Sequence, residues 1–305
     1  MPRQAAVRVP ASSANLGPGF DVLALALDLH LEVRAKEAPR TQARLEFGWE
    51  GEGANEVPRT SRNLIMRAAQ EPFQSWDRPL RGLALEVKNE IPIGRGLGSS
   101  AAAIIAGISI GARLRGLRLS PARVLELGLP LEGHGDNLAA ALYGGFCVVA
   151  TGGGAARVLR LTWPTRWKAV VFVPEGVSPT HEARRLVPTQ VPRADVVHNL
   201  SRLAEWVLAV STGNRALVAT AMEDRLHQPA RARAYPYLYD MINSAREAGG
   251  LGAALSGAGG SVIAITDRKH DAVAESMSRT ARDHHVAGRI LRIRASSGGL
   301  QVLRR

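Results

Sequence analysis

The part of the sequence that most constrains the fold is a glycine-rich loop that leads directly into an apolar run. Residues 92–100 read PIGRGLGSS, and an alanine- and isoleucine-rich stretch continues to Leu114. Ahead of the loop, Leu83, Leu85 and Val87 alternate with small or polar residues, which predicts a strand. The apolar stretch is shorter than the roughly 18 to 20 residues that span a bilayer. This order therefore predicts a strand, a glycine loop and a buried core helix.

The glycine loop predicts an anion site. Glycines let the backbone approach a ligand closely, and the helix that follows directs its unpaired N–H groups and positive dipole end at the loop. A phosphate group is the simplest ligand. No lysine follows the glycines as in a Walker A loop, and Ser99 and Ser100 interrupt the glycine spacing of the dinucleotide fingerprint. The alternative is a plain turn into a helix capped by Ser99.

A second polar cluster lies at residues 132–137, between apolar segments. Glu132, His134, Asp136 and Asn137 place two carboxylates, an imidazole and an amide within six residues. Polar groups near buried segments need partners in the protein or in a ligand. Glu132 is a candidate oxygen ligand for the Mg²⁺ that accompanies bound phosphates. The alternative is that Asp136 caps a helix over residues 138–142 and His134 is a structural histidine.

A second glycine loop, residues 255–261, lies in the other half of the chain. Alone it is equally typical of a tight turn. Because each half of the chain carries one glycine loop, the pair predicts a ligand held in a cleft between two domains.

The organisation of the chain predicts an α+β protein of two domains, because helices and strands mix in both halves without strict βαβ alternation. The glycine run at residues 152–154 predicts the boundary, giving a domain 1–154 that carries the phosphate loop and a domain 155–305 that completes the ligand cleft. Strands are expected near residues 7–9, 27–33, 83–87, 146–150, 158–161, 169–173 and 289–293, and a glycine-rich segment over residues 251–265 is expected to run into a strand. Helices are expected over residues 99–114, 121–129, 195–210, 237–248 and 271–284.

Composition narrows the range of partners. The chain has 39 Lys and Arg residues against 27 Asp and Glu, a net charge of +12, which favours anionic ligands. Aromatic residues make up 5% of the chain and offer few stacking platforms, which argues against a nucleic-acid partner. The single cysteine, Cys147, cannot form an intramolecular disulfide. With no apolar signal segment at the N-terminus, we expect a cytoplasmic protein without a membrane partner.

Three motifs together carry a family resemblance. Residues 9–21 (VPASSANLGPGFD), 92–102 and 256–261 resemble the three motifs of the superfamily of galactokinase, homoserine kinase, mevalonate kinase and phosphomevalonate kinase, in order and spacing across nearly the whole chain. The first motif, together with residues 132–137 and 228–231, is most similar to the homoserine kinase branch. The resemblance implies an α+β, two-domain small-molecule kinase fold, with an N-terminal ribosomal-protein-S5-like domain and a C-terminal ferredoxin-like domain.

The resemblance also implies a reaction, in which ATP and Mg²⁺ phosphorylate the side-chain hydroxyl of L-homoserine to O-phospho-L-homoserine in threonine biosynthesis. It implies that ATP is bound, near the adenine and around the phosphates, by Asn63, Pro92, Gly94, Arg95, Gly96, Leu97, Gly98, Ser99 and Ser100. Mg²⁺ would be held by Ser100 and Glu132. The substrate would be bound by Asn15, Asp21, His134, Asn137, Arg184, Arg231 and Gly259. Catalytic positions would be Asp21, Asn137 and Thr180.

Arg184 and Arg231 are the implied ligands of the substrate carboxylate, and we expect each planar guanidinium to offer paired hydrogen bonds. The resemblance identifies no catalytic base. Relatives of the mevalonate kinase type have a lysine near the first motif for this role, whereas the first lysine here, Lys36, lies well past Asp21. Two alternatives stay open: another small-molecule kinase of the superfamily, acting on mevalonate or an isoprenoid precursor, and a non-catalytic protein that binds nucleotide or RNA. A homodimer also stays open.

Overall fold

A computed structural model of the chain describes residues 3–37, 45–73, 83–151, 156–176 and 180–303. The strands are β1 (Gln4–Asn15), β2 (Gly19–Glu37), β3 (Glu46–Gly51), β4 (Leu83–Asn89), β5 (Phe146–Ala150), β6 (Arg157–Leu161), β7 (Lys168–Pro174), β8 (Gly252–Leu255), β9 (Val262–Thr266), β10 (Gly288–Ile293) and β11 (Gln301–Val302). The helices are α1 (Leu64–Gln70), α2 (Ser99–Leu114), α3 (Pro121–Glu132), α4 (Asp136–Tyr143), α5 (Thr180–Arg185), α6 (Arg193–Thr212), α7 (Val218–Ala221), α8 (Gln228–Arg231), α9 (Leu238–Glu247) and α10 (His270–Asp283).

The first sheet has seven strands in the order β11-β1-β2-β4-β3, with β5 paired to β2 and β6 paired to β5. Its pairings are antiparallel except for the parallel pair β3 and β4. The helix α2 packs on this sheet through a continuous face of alanine and isoleucine side chains. Strand, glycine loop and buried helix therefore follow one another as the sequence predicts.

The second sheet has four antiparallel strands in the order β10-β7-β9-β8. One face of it carries α9 and α10, which bury Met241 and Met277 against Val262. The other face joins the main core, where Trp206 of α6 contacts Phe146 of the first sheet with ring centroids 5.6 Å apart. The α+β class predicted from the sequence is confirmed, and a shared core joins the two sheets.

The predicted boundary at residues 152–154 lies outside the described residues. Two strands within the range predicted for the second domain, β6 and the unpredicted β11, pair with strands of the first sheet. The hairpin of β5 and β6 extends that sheet, and β11 covers the edge of β1. Alternation predicts a strand but not its partner, because pairing depends on long-range contacts.

Two glycines inside α2 bring it close to α1. A Cβ atom at Gly107 would lie 2.4 Å from the carbonyl oxygen of Ile65, and one at Gly111 would lie 2.0 Å from that of Ala69. The absence of side chains there lets the two helix backbones touch, which fixes the helix behind the phosphate loop. Among the described residues, no helix is long and apolar enough to cross a membrane.

Candidate active site

The three sequence motifs meet at one point in the molecule. Hydrogen bonds connect the end of β1, the loop before α2 and the loop between β8 and β9 with one another. They run from Ser12 N to Leu97 O at 3.1 Å, from Gly257 N to Ala14 O at 3.0 Å, and from Ser256 Oγ to Gly96 O at 2.7 Å. The two glycine loops are therefore in direct contact.

One cavity gathers most of the predicted site residues. It is lined by Asn15, Asp21, Gly94, Gly96, Gly98, Ser99, Ser100, Glu132, His134, Asn137, Arg184 and Arg231. Asp136, which was not among the predicted site residues, lines it too. A phosphate loop, a buried carboxylate and two guanidinium groups thus share one space.

The phosphate loop forms a backbone cradle. Gly98 is the N-cap of α2 with φ of 69°, and no side chain caps the helix, so the expected alternative of a turn capped by Ser99 is wrong. A Cβ at Gly96 would lie 2.2 Å from the Ser256 carbonyl oxygen, and one at Gly98 would lie 2.1 Å from Ser12 Oγ. The loop has no room for side chains and leaves the first N–H groups of α2 directed at the cavity, an arrangement that fits a phosphate chain.

Ser100 and Glu132 form the candidate metal pair. Ser100 Oγ donates a hydrogen bond to Glu132 Oε1 at 2.7 Å. Burial raises the pKa of the Glu132 carboxyl, and the hydrogen bond from Ser100 opposes that rise. A hydroxyl and a buried carboxylate beside a phosphate loop are oxygen donors of the kind that Mg²⁺ prefers. These two residues therefore fit the metal that the sequence implies.

His134 and Asn137 are oriented by Asp136 at the start of α4. His134 Nδ1 lies 2.7 Å from Asp136 Oδ1, and the same oxygen accepts the backbone N–H of Asn137 at 2.7 Å. Burial would lower the pKa of His134, but the hydrogen bond to Asp136 and the neighbouring carboxylates raise it above its ordinary value. Asn137 Oδ1 accepts from Ser12 Oγ at 2.8 Å. Asp136 both begins the helix and positions two site residues.

Charged groups line the opposite side of the cavity. Arg184 donates from both terminal nitrogens to Asp21, and that pairing raises the pKa of Arg184. The guanidinium groups of Arg184 and Arg231 lie 5.4 Å and 5.5 Å from the ring centroid of Phe20. Phe20 was not predicted, although it stands inside the first motif. Cation–π contact holds both arginines toward the same ring.

Neither arginine offers the free fork that the sequence led us to expect. Arg231 donates from Nε to Ala183 O at 3.2 Å and from Nη1 to Gly257 O at 3.0 Å, while both terminal nitrogens of Arg184 are paired with Asp21. Protein carbonyls compete for a buried guanidinium, because its N–H groups need acceptors. Sequence spacing cannot reveal such acceptors.

Several predicted residues lie outside the cavity lining. Asn63 caps α1 by accepting from Ile65 N at 2.9 Å, and Arg95 donates to Pro174 O at 3.0 Å. Pro92 and Leu97 are buried in the loop, and Gly259 lies in the third motif, where its N–H donates to Ser256 O. Thr180 begins α5, and its side chain is outside the described residues. The ligand contacts of these residues stay predictions.

The fold and the site define a class, the GHMP kinases. The family model for the GHMP kinases N terminal domain matches residues 63–145, and the model for the GHMP kinases C terminal matches residues 206–283. The mevalonate kinase structure of L. major, at 16% identity and a TM-score of 0.64, covers 98% of this chain and 97% of its own, and shares the fold.

Sequence relatives narrow the class. The homoserine kinase of Moorella thermoacetica is 40% identical over 272 residues, covering 89% of this chain and 90% of its own. The homoserine kinase of Streptomyces avermitilis is 42% identical over 288 residues, covering 93% of this chain and 92% of its own. The crystal structure of homoserine kinase from Cytophaga hutchinsonii matches with a TM-score of 0.86 at 25% identity, covering 99% and 98%. The chain belongs to the homoserine kinase family.

Proposed function

We propose that this protein transfers the γ-phosphoryl group of ATP to the side-chain hydroxyl of L-homoserine, giving O-phospho-L-homoserine for threonine biosynthesis. One observation carries the proposal. A single cavity joins the uncapped start of α2 to a carboxylate, Asp21, and a buried guanidinium, Arg231. The first group suits phosphates, and the second and third suit the two charged ends of an amino acid. Relatives about 40% identical are homoserine kinases.

The nucleotide end of the cavity positions and neutralises phosphates. The N–H groups at the start of α2 and the glycine backbone receive them, because a helix N-terminus carries partial positive charge. Ser100 and Glu132 would hold Mg²⁺, which when bound neutralises charge on the phosphate oxygens. The contact of Ser256 with Gly96 closes the loop from the other half of the chain. Phosphoryl transfer needs such positioning more than covalent chemistry by the protein.

The acceptor end orients the amino acid. Asp21 receives the ammonium group, and Arg231, with Arg184, receives the carboxylate, so that the side-chain hydroxyl points toward the phosphate loop. His134 and Asn137 stand between the two ends, where Asp136 holds both. The substrate oxygen forms a bond to the γ-phosphorus as the bond to the ADP oxygen breaks, and the hydroxyl proton passes to solvent. Asp21, Asn137 and Thr180 are the proposed residues around this step.

A panel of alcohols tests the proposal. ADP release is measured with homoserine, mevalonate, shikimate and galactose at equal concentrations. We expect turnover with homoserine to exceed the others, because mevalonate shares the carboxylate but lacks the ammonium group that Asp21 would bind. Faster turnover of mevalonate would favour the alternative of a kinase that acts on mevalonate or an isoprenoid precursor. Salt-sensitive RNA binding without turnover of any alcohol would favour the non-catalytic alternative.

The proposal includes three further expectations, which concern the domain division, the cellular location and the oligomeric state. A division into domains 1–154 and 155–305 is supported by the separate second sheet, whose strands all lie within the second range. Action in the cytoplasm is supported by the lone buried Cys147. A homodimer is supported by exposed apolar side chains on α6, including Val197 and Leu200, and light scattering in solution tests it. No nucleic-acid or membrane partner is proposed.

A further inference from the structure

The orientation of Arg231 depends on three polar partners and on the ring of Phe20, whose centroid lies 5.5 Å from the guanidinium. Its side chain is 2% exposed, and carbonyl oxygens of Ala183 and Gly257 take hydrogen bonds from Nε and Nη1. The remaining contact of Nη1 is with His227 Nδ1, at 3.2 Å. For Nη2 the described part of the chain supplies no acceptor, and Arg231 lines the cavity. Nη2 is therefore the atom left for a ligand, and the groups around Nε and Nη1 set its direction.

The imidazole of His227 has a defined protonation state. It is fully buried, and Nε2 lies 2.8 Å from the carbonyl oxygen of Gly17. A carbonyl only accepts, so Nε2 carries the proton, and an arginine only donates, so Nδ1 presents its lone pair to Arg231. Burial and the charge of Arg231 lower the pKa of His227 against the raising effect of Asp224. A neutral ring with one donor and one acceptor is what this geometry requires.

The backbone that carries His227 is fixed by Asp224. One oxygen of this buried carboxylate accepts the N–H groups of His227 at 2.9 Å and Gln228 at 2.7 Å. The other accepts from Leu226 N at 3.0 Å and from Asn199 of α6 at 2.7 Å. The imidazole therefore projects from a rigid turn and links the β1–β2 turn, through Gly17, to α8.

We propose that His227 is a positioning residue for recognition of the substrate carboxylate: its Nδ1 lone pair holds Nη1 of Arg231 so that Nη2 faces the amino-acid end of the cavity. This proposal rests on the proposed function, since the carboxylate is that of homoserine. It assigns His227 no contact with the substrate. Its effect is on the binding of carboxylate-bearing substrates and not on the phosphoryl step.

Two variants separate the two hydrogen bonds of the ring. In His227→Gln an amide nitrogen can still donate to Gly17 O, but the acceptor facing Arg231 is lost. In His227→Asn an oxygen near the Nδ1 position can still accept from Arg231, but the bond to Gly17 is lost. We expect His227→Gln to raise KM for homoserine about tenfold, or about 1.4 kcal/mol, with kcat and KM for ATP nearly unchanged. His227→Asn should raise KM for homoserine clearly less.

A matched control comes from His30, a second buried histidine whose Nδ1 lies 3.0 Å from Nη2 of Arg8; neither residue lines the cavity. His30→Gln at about pH 7.5, where an ordinary histidine is neutral, should leave KM for homoserine unchanged. Homoserinol, which lacks the carboxylate, should show equal KM with wild type and His227→Gln. Melting temperatures are measured for every variant.

Three outcomes would overturn the inference. The first is a folded His227→Gln variant whose KM for homoserine equals that of wild type. The second is a tenfold rise in KM for homoserine in His227→Asn, which keeps an acceptor for Arg231. This result would overturn the inference even if His227→Gln did not fold. The third is an equal rise for homoserinol, which indicates general damage to the site. A wild type that does not phosphorylate homoserine would instead contradict the proposed function, and the inference with it.

Discussion

Asp21 accepts hydrogen bonds from both terminal nitrogens of Arg184, at 2.9 Å and 2.7 Å. The two residues that the proposal assigns to opposite charges of the amino acid are therefore paired with each other. Their side chains are 34% and 41% exposed. A pair this exposed contributes little stability, about 0 to 1 kcal/mol, so exchange for the charges of a zwitterionic substrate costs little.

Replacing Asp21 tests this exchange. Asp21→Asn removes the negative charge but keeps the shape, so we expect KM for homoserine to rise by at least about tenfold, and kcat to fall much less. With 4-hydroxybutanoate, which lacks the ammonium group, wild type and variant should have similar KM. Steady-state ADP release measures both. A fall in kcat of about a thousandfold at saturating homoserine would instead identify Asp21 as the catalytic base.

Glu132→Gln tests the metal pair. The variant loses a charged ligand beside Ser100, and we expect turnover to fall by at least about a hundredfold, or about 2.7 kcal/mol. Because burial raises the pKa of Glu132, its ionised form costs folding free energy at neutral pH. The neutral amide should therefore leave the melting temperature equal or higher. Full activity at ordinary Mg²⁺ concentration would contradict the assignment. So would a variant whose melting temperature falls while its turnover is largely kept.

Arg231→Lys tests the carboxylate contact. Lysine keeps the charge but cannot bond Ala183 O and Gly257 O while presenting another nitrogen to the cavity. We expect the affinity for homoserine to fall by about one to two decades, at about 1.4 kcal/mol per decade, and that for ATP to stay unchanged. Arg279→Lys, an exposed site on α10, is the matched control. Equal kinetics for both variants would contradict the carboxylate contact assigned to Arg231.

Hydrogen exchange tests the joining of the two glycine loops. ATP should protect amides in residues 94–99 and also in residues 256–260, because Ser256 Oγ bonds to Gly96 O at 2.7 Å. In Ser256→Ala, which lacks this bond, protection of the second segment should weaken. Mass spectrometry with and without ATP measures both. If only the first segment is protected in the wild-type protein, the second loop is a turn without a part in nucleotide binding.

The stability of the fold should depend on pH through His30. Burial, and next the charge of Arg8, lower the pKa of His30, against the raising effects of Asp28 and Glu90. Below about pH 6.5 the unfolded chain binds a proton that the folded chain does not, so the free energy of unfolding falls with falling pH. Urea unfolding measures the free energy of unfolding at about pH 7.5 and 5.5. We expect this free energy to fall less between the two pH values in His30→Asn than in wild type. Equal losses would show that His30 does not contribute.

Local sequence was enough to predict much of the fold. The run of alanine and isoleucine between Ser99 and Leu114 is α2 as predicted, and Ser120 caps α3 by accepting from Arg123 N at 3.2 Å. Period and capping are encoded within a few residues, so they can be read without knowing the partner. The short helices α7 and α8 were missed, because four-residue helices have no readable period. The family resemblance, in turn, implied twelve residues that line the cavity.

By itself, the sequence determined the chemical inventory of the site: a glycine cradle, a buried carboxylate at Glu132, and arginines for a small anion. Tertiary structure decided how those groups are used. It placed β11 on the edge of the first sheet, paired Arg184 with Asp21, and fixed Arg231 through His227. Asp21 and Arg184 are 163 positions apart, and His227, which lies four positions before Arg231, is itself held by the carbonyl oxygen of Gly17, 210 positions away. A guanidinium bonds to whichever acceptor the folded chain brings within reach, and that depends on packing across both sheets and not on neighbouring residues.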